Sequence, residues 1–279
     1  MFHDEHPPFS AFRTLIFSDL TPVMMLIAYL YAGLIGACIG SFLSVVIHRL
    51  PRRESVVRPR SRCPRCGSRL AWYYNVPILS YLALRGRCAA CGARIPLRYL
   101  LVEIGMALVF IALFHVFGFS LLLPRYAMFA ALLVAAAEID RRHGIIPNRL
   151  VACGVVLGLV WILATETNAL GTYGLAAVAS AGIMLLIRVG SRLVFGRAGL
   201  GMGDVKLAAM TGLFLGWDTL WVFYLAVVLG GTLGLLGLLT GRLERRSRLP
   251  LAPFVALGAG LHVFLVPPSL VLPLFGYPL

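Results

Sequence analysis

The chain has 279 residues, enough for one large soluble domain or two small ones. Its composition excludes both: 60% of residues are hydrophobic, only 13% are charged, and mean hydropathy is +0.90. Too little polar surface remains to cover such a globule, so the chain reads as an integral membrane protein. The net charge of +14 falls in short arginine clusters between apolar runs. That is the pattern of cytoplasmic loops under the positive-inside rule, and it argues against a nucleic-acid partner.

A span needs about 20 largely apolar residues. Residues 1–21 are polar at the start and are expected outside, in the periplasm. The first span is expected over 22–47, followed by Arg49, Arg52 and Arg53. No basic region precedes it, so it reads as a retained anchor rather than a cleaved signal. Residues 48–98 then form a long cytoplasmic loop. Further apolar runs lie near 100–117, 125–139, 150–165, 171–189, 205–217, 219–240 and 252–267, of which 205–217, the sixth span of the chain, is short. The fold expected is all-α and polytopic, with about eight transmembrane helices. If the spans alternate, Arg141, Arg142, Arg149, Arg192, Arg197, Lys206, Arg242, Arg245, Arg246 and Arg248 all land on the cytoplasmic side. Parity and charge agree.

The cytoplasmic loop contains Cys63-Pro-Arg-Cys66-Gly and Cys88-Ala-Ala-Cys91-Gly. Two such turns can aim four thiolates at one tetrahedral ion, and a glycine after each pair suits the tight turn. Two disulfides or four unrelated thiols are the alternatives, but a reducing cytoplasm disfavours disulfides. A structural zinc ion on Cys63, Cys66, Cys88 and Cys91 is expected, because four protein ligands leave no open position for chemistry. Cys38 and Cys153 sit in apolar runs and read as core residues.

Acids at membrane depth need a reason. Glu103 lies early in the second span. Glu138 and Asp140 close the third, and Asp204 opens the sixth within Gly201-Met202-Gly203-Asp204-Val205-Lys206. The third span runs inward and the sixth outward, so Asp140 and Asp204 come to the same face. If they share one site they share a proton, and one carboxylate can take a proton from water while the other protonates an amide carbonyl. The dipole of its own helix makes Asp140 the expected holder of the shared proton, while the start of the sixth helix favours the anion at Asp204. Gly201 and Gly203 would let a peptide backbone approach. Lys206 reads either as a contact to substrate or dyad or as a positive-inside anchor. For each aspartate the alternative is a helix-end charge solvated by headgroups. Glu138 reads as such a charge.

These motifs, together with Gly40-Ser41-Phe42-Leu43-Ser44 and Arg49-Leu50-Pro51, resemble the type IV prepilin peptidases. Asn75-Val76-Pro77-Ile78-Leu79-Ser80-Tyr81, Arg98-Tyr99-Leu100-Leu101-Val102-Glu103, Ile146-Pro147-Asn148 and Pro253-Phe254-Val255-Ala256-Leu257-Gly258 extend the resemblance from about residue 40 to 261. It implies a bifunctional enzyme of the bacterial inner membrane. One activity cuts the basic leader from prepilins and pseudopilins on the cytoplasmic side. The other methylates the new N-terminus with S-adenosylmethionine. It implies Asp140 and Asp204 as the catalytic pair and the four cysteines as metal ligands. It also associates the 48–98 loop with methyl transfer and 99–279 with the peptidase. One departure stands out: the family's Gly-Ser-Phe-Leu-Asn ends here in Ser44. No Gly-x-Gly-x-x-Gly marks a nucleotide-type pocket, so the methyl donor's site is expected between the first loop and its neighbouring spans. Glu103 is the candidate there for an ammonium or amine; otherwise it is a buried polar contact. Presenilin-type proteases also carry Gly-x-Gly-Asp, but without a four-cysteine loop. A small transporter would spread its acids through the bilayer rather than collect them on one face.

Overall fold

The computed structural model describes residues 21–58, 61–63, 65–196, 199–242 and 249–265. Residues 1–20, the 243–248 segment with Arg245, Arg246 and Arg248, Arg197, and the end of the eighth apolar run lie outside the described residues. The helices are α1 Pro22–Arg49, α2 Leu79–Ala83, α3 Arg98–Phe117, α4 Leu122–His143, α5 Asn148–Thr165, α6 Leu170–Phe195, α7 Met202–Leu215, α8 Asp218–Leu239 and α9 Ala252–Leu265. Among the described residues there is no strand, only two isolated bridges in the cysteine loop. The all-α membrane fold expected from the apolar runs is borne out. Among the described residues, six helices are long and apolar enough to cross a bilayer. The expected sixth and eighth spans are the shorter α7 and α9, each of 14 residues. At 1.5 Å per residue each reaches about 21 Å, short of a hydrocarbon core of about 30 Å.

The chain divides into two compact units, Met1–Ala127 and Met128–Leu279, with the division inside α4. In the first unit α1 begins at a Thr21 cap, whose hydroxyl accepts from the Met24 N–H, with Pro22 as its first residue. Its glycines then set how closely it approaches α3. A Cβ on Gly36 would fall 2.5 Å from the Met106 carbonyl oxygen, and one on Gly40 would fall 2.8 Å from the Glu103 Cα. This small-xxx-small spacing brings the two backbones together where lipid gives no hydrophobic drive for association. It also puts Glu103 against α1.

In the second unit α7 is the core element. Leu207, Ala208 and Met210 are fully buried, and the run from Thr211 to Leu215 is buried around the whole helix. A helix apolar on all sides belongs inside a bundle rather than against lipid, which is why α7 tolerates its shortness. Gly212 lets α7 meet α6: a Cβ there would lie 2.5 Å from the Ala177 Cα. α8 and α9 pair in the same way, with Gly258 against the Val222 carbonyl.

Candidate active site and metal centre

Asp140 lies near the end of α4 and is buried. Its Oδ2 accepts the Ala252 N–H at 3.0 Å, and the Leu251 N–H also bonds to this carboxylate. Both donors are at the start of α9, whose first residues have no partner within their own helix. Asp140 therefore caps a helix that begins 112 residues later. This revises the expectation that the dipole of its own helix decides its proton. The side chain meets the N-terminal end of α9, so the dipole argument no longer separates it from Asp204.

Asp204 is the third residue of α7, and its Oδ2 accepts the Gly201 N–H at 2.8 Å, the carboxylate half of a capping box. The two carboxylates thus occupy equivalent positions at two different helix starts. They are near enough to act on each other electrostatically, and the Arg188 guanidinium acts on Asp204 as well.

The remaining residues of this region divide by their contacts. The space beside Gly203 is filled by Ile146, whose Cβ would lie 2.9 Å from an added methyl; that glycine admits the chain's own loop. Beside Gly201 an added Cβ would meet chiefly the Asp204 carboxylate, at 3.2 Å. Lys206 donates to Asn148 Oδ1 at 2.9 Å, tying α7 to the start of α5. Glu138 is paired with Arg141, at 2.8 Å, and with Arg142.

Sequence reading missed the α9 amides and Arg188. The first had a signal in Leu249-Pro250-Leu251-Ala252-Pro253, a proline placed early in a helix. For the second, the rule applied to acids, that a charge inside an apolar run needs a reason, holds for arginine too.

In the first unit, the two cysteine pairs build two copies of one turn. Cys63 N–H bonds to the Ser68 carbonyl and Gly67 N–H to the Cys63 carbonyl; Cys88 with Ala93 and Gly92 with Cys88 repeat the pattern. Gly67 and Gly92 both take positive φ, 71° and 66°, which makes glycine the fitting residue there. The four sulfurs lie within 4.8 Å of one another, and those of Cys63 and Cys91 are 3.9 Å apart. Zinc–sulfur bonds of about 2.3 Å in a tetrahedron separate the sulfurs by about 3.8 Å. The cluster therefore fits a zinc ion. The Ser68 hydrogen bond holds the Cys66 thiol down to about 6. For Cys91 the Ala93 N–H favours the thiolate, but Cys66, burial and the other cysteines outweigh it and push the thiol up to about 11. Four thiolates this close need a cation to coexist.

Glu103 is buried on α3, and its Oε2 accepts the Ile78 N–H at 2.7 Å. Ile78 has φ 63° and ψ −55°, and the Leu79 N–H bonds back to the Pro77 carbonyl. This is a tight three-residue turn of the positive-φ kind, a strained state for a β-branched residue, persisting only where its surroundings hold it. The buried Glu103 carboxylate is one such hold. On α1, one turn beyond Gly40, the Ser44 hydroxyl is buried without a hydrogen-bond partner among the described residues.

Residues 34–117 match the Bacterial Peptidase A24 N-terminal domain, and residues 127–236 match the Type IV leader peptidase family. Among curated proteins, the chain is 43% identical over 216 residues to the prepilin leader peptidase/N-methyltransferase of Myxococcus xanthus (strain DK1622). That match covers 76% of this chain and 64% of the relative's length. The Burkholderia pseudomallei (strain 1026b) protein of the same name is 34% identical over 298 residues, covering 95% of this chain and 92% of its own. The one from Bacillus subtilis (strain 168) is 34% identical over 226 residues, covering 80% and 89%. No solved structure matches the chain. With both domains matched in order on a multi-helix membrane fold, the chain belongs to the type IV leader peptidase family, a family of membrane peptidases with N-methyltransferase activity.

Proposed function

We propose that this chain cleaves the basic leader from prepilins and pseudopilins at the cytoplasmic face of the bacterial inner membrane, with Asp140 and Asp204 as the catalytic pair. What supports this reading is that two carboxylates from distant parts of the sequence lie within electrostatic reach of each other, each anchored through one oxygen to a helix start. Like charges so placed hold one proton between them. The ionised carboxylate removes a proton from water as it attacks the scissile carbonyl carbon. The protonated one delivers its proton to the carbonyl oxygen. Collapse of the tetrahedral species breaks the C–N bond, with a proton passing to the leaving amine, and no covalent enzyme intermediate forms.

The second activity is methylation of the new N-terminus, with S-adenosylmethionine supplying the methyl group when bound. Buried Glu103 and the unpartnered Ser44 hydroxyl suit a cationic or amine-bearing ligand. Glu103 is the proposed holder of that group, and residues 48–98 are the segment associated with this activity. Zinc on Cys63, Cys66, Cys88 and Cys91 fixes the loop and takes no part in either step.

The test is one assay on the full chain in detergent or lipid. A prepilin-like peptide is supplied with and without S-adenosylmethionine, and products are read by mass. The wild-type chain is expected to release the leader in both cases and to add one methyl group only with the donor. Asp140→Asn and Asp204→Asn are each expected to lower cleavage by at least about three orders of magnitude while the protein stays inserted. Full cleavage by either variant removes the dyad.

A further inference from the structure

Asp204 stands just after a short segment, Gly199–Gly201, that is hydrogen-bonded to side chains of α6. Arg188 Nη1 donates to the Leu200 carbonyl. One turn further along the same helix, the Ser191 hydroxyl donates to the Arg188 carbonyl at 2.9 Å and accepts the Gly199 N–H at 2.9 Å. The next N–H but one, that of Gly201, holds the Asp204 carboxylate at 2.8 Å. Three consecutive residues, Gly199, Leu200 and Gly201, are thus fixed in turn by Ser191, by Arg188 and by Asp204 itself.

We propose that Arg188 and Ser191 form a clamp on the 199–201 loop that sets the position of Asp204, and that Arg188 in addition acts as a positioning cation for the dyad's charge. The inference rests on the reading of Asp204 as a catalytic carboxylate, and it assigns roles that neither a spanning-helix anchor nor a lipid-facing arginine would have. A backbone acceptor for Arg188 orients the guanidinium without neutralising it, because a carbonyl carries no formal charge. Its full positive charge remains available to Asp204. Ser191, by contrast, is neutral and acts on the backbone alone. The two halves of the clamp therefore separate geometry from charge.

The other groups around Asp204 are consistent with that division. Asp140, on α4, acts on it electrostatically with charge of the same sign. Lys206, on its own helix, is engaged by Asn148 of α5. Arg188 is the cation that opposes the Asp140 effect. Without it the ionised partner is harder to form, so the acidic limb of the cleavage profile moves to higher pH.

The experiment measures kcat and KM against pH for the full-length wild-type chain and for Arg188→Gln, Arg188→Lys and Ser191→Ala, with Asp204→Asn as a control. Amide hydrogen exchange over residues 199–204 is followed in parallel. Arg188→Gln is expected to lower kcat by about ten- to a hundredfold with KM nearly unchanged, and to raise the acidic limb by about one pH unit. Arg188→Lys restores the limb, because it restores the charge, with only part of the rate. Ser191→Ala lowers kcat without moving the limb. Both Arg188→Gln and Ser191→Ala speed exchange across 199–204. Wild-type kcat and an unmoved limb in Arg188→Gln would overturn the charge role. Unchanged exchange in Arg188→Gln and Ser191→Ala would overturn the clamp, and this readout stands whether or not the peptide is cut. Cleavage by the Asp204→Asn control would sink the dyad and leave the clamp to be judged by exchange.

Discussion

A single carboxylate shows how much burial alone leaves undecided. Glu103 is buried, donates nothing, and accepts one backbone N–H from a strained isoleucine. A purely local role would be to hold that turn, and a neutral acceptor could do so. Holding a cationic amine requires the charge. Glu103→Gln keeps an acceptor for the Ile78 N–H and removes the charge, whereas Glu103→Leu removes both. The expectation is that both variants lose methyl transfer by about tenfold or more while leader cleavage stays within about twofold of wild type. Retention of methylation in the glutamine variant alone would reduce Glu103 to a support for the turn. Mass spectra of the peptide products separate these outcomes. The same logic explains why Asp140 could be picked out in sequence but its environment could not. Its capping amides come from residues 251 and 252, and no local pattern around 140 points to them.

Among the elements, the cysteine turns are the most self-contained. Each closes on itself through two backbone hydrogen bonds and a positive-φ glycine, so the C-x-x-C-Gly pattern specifies its own conformation. What neither turn fixes alone is the distance between the pairs, since the sulfurs belong to segments 25 residues apart in register. A metal ion supplies that link, and its affinity becomes stability of the loop. The purified protein is expected to carry about one zinc per chain, and Cys63→Ser to carry well below half of that, as measured by elemental analysis alongside protein concentration. A chain that is free of zinc yet shows unchanged protease resistance across the loop would contradict a structural role for the ion. The helices are similarly divided. α1 and α3 are long and apolar enough to span, whereas the apolar runs read as the sixth and eighth spans fold as the 14-residue helices α7 and α9. α7 is stable as a short helix because α5, α6 and α8 surround it, with Gly154, Gly158 and Gly212 at the close approaches.

At the scale of the molecule, orientation follows from where the arginines fall. Positive charge resists translocation, so the loop between α1 and α3 and the short loops after α4 and α6 are expected in the cytoplasm. The proposed dyad, at the end of α4 and the start of α7, is then expected on that same side. A membrane-impermeant maleimide applied to intact cells is expected to leave Cys66 and Cys91 unlabelled, and to reach them in inside-out vesicles once zinc is chelated. Labelling from outside in intact cells would invert the topology and move the proposed cleavage to the wrong compartment for a cytoplasmic leader.

The sequence by itself determined the membrane class, the number and order of the apolar helices, the paired cysteine turns and the identity of the unusual acids. All of these are written in composition, in spacing within a few residues, or in the parity of crossings. Only tertiary structure decided that Asp140 caps α9, that Arg188 and Ser191 grip the loop before Asp204, that Ile146 fills the space at Gly203 and that Glu103 restrains Ile78. Each of those facts joins groups that share no local pattern. In a close-packed bundle such partners are chosen by which helix starts and loops arrive at the same place, and hydropathy carries no record of that.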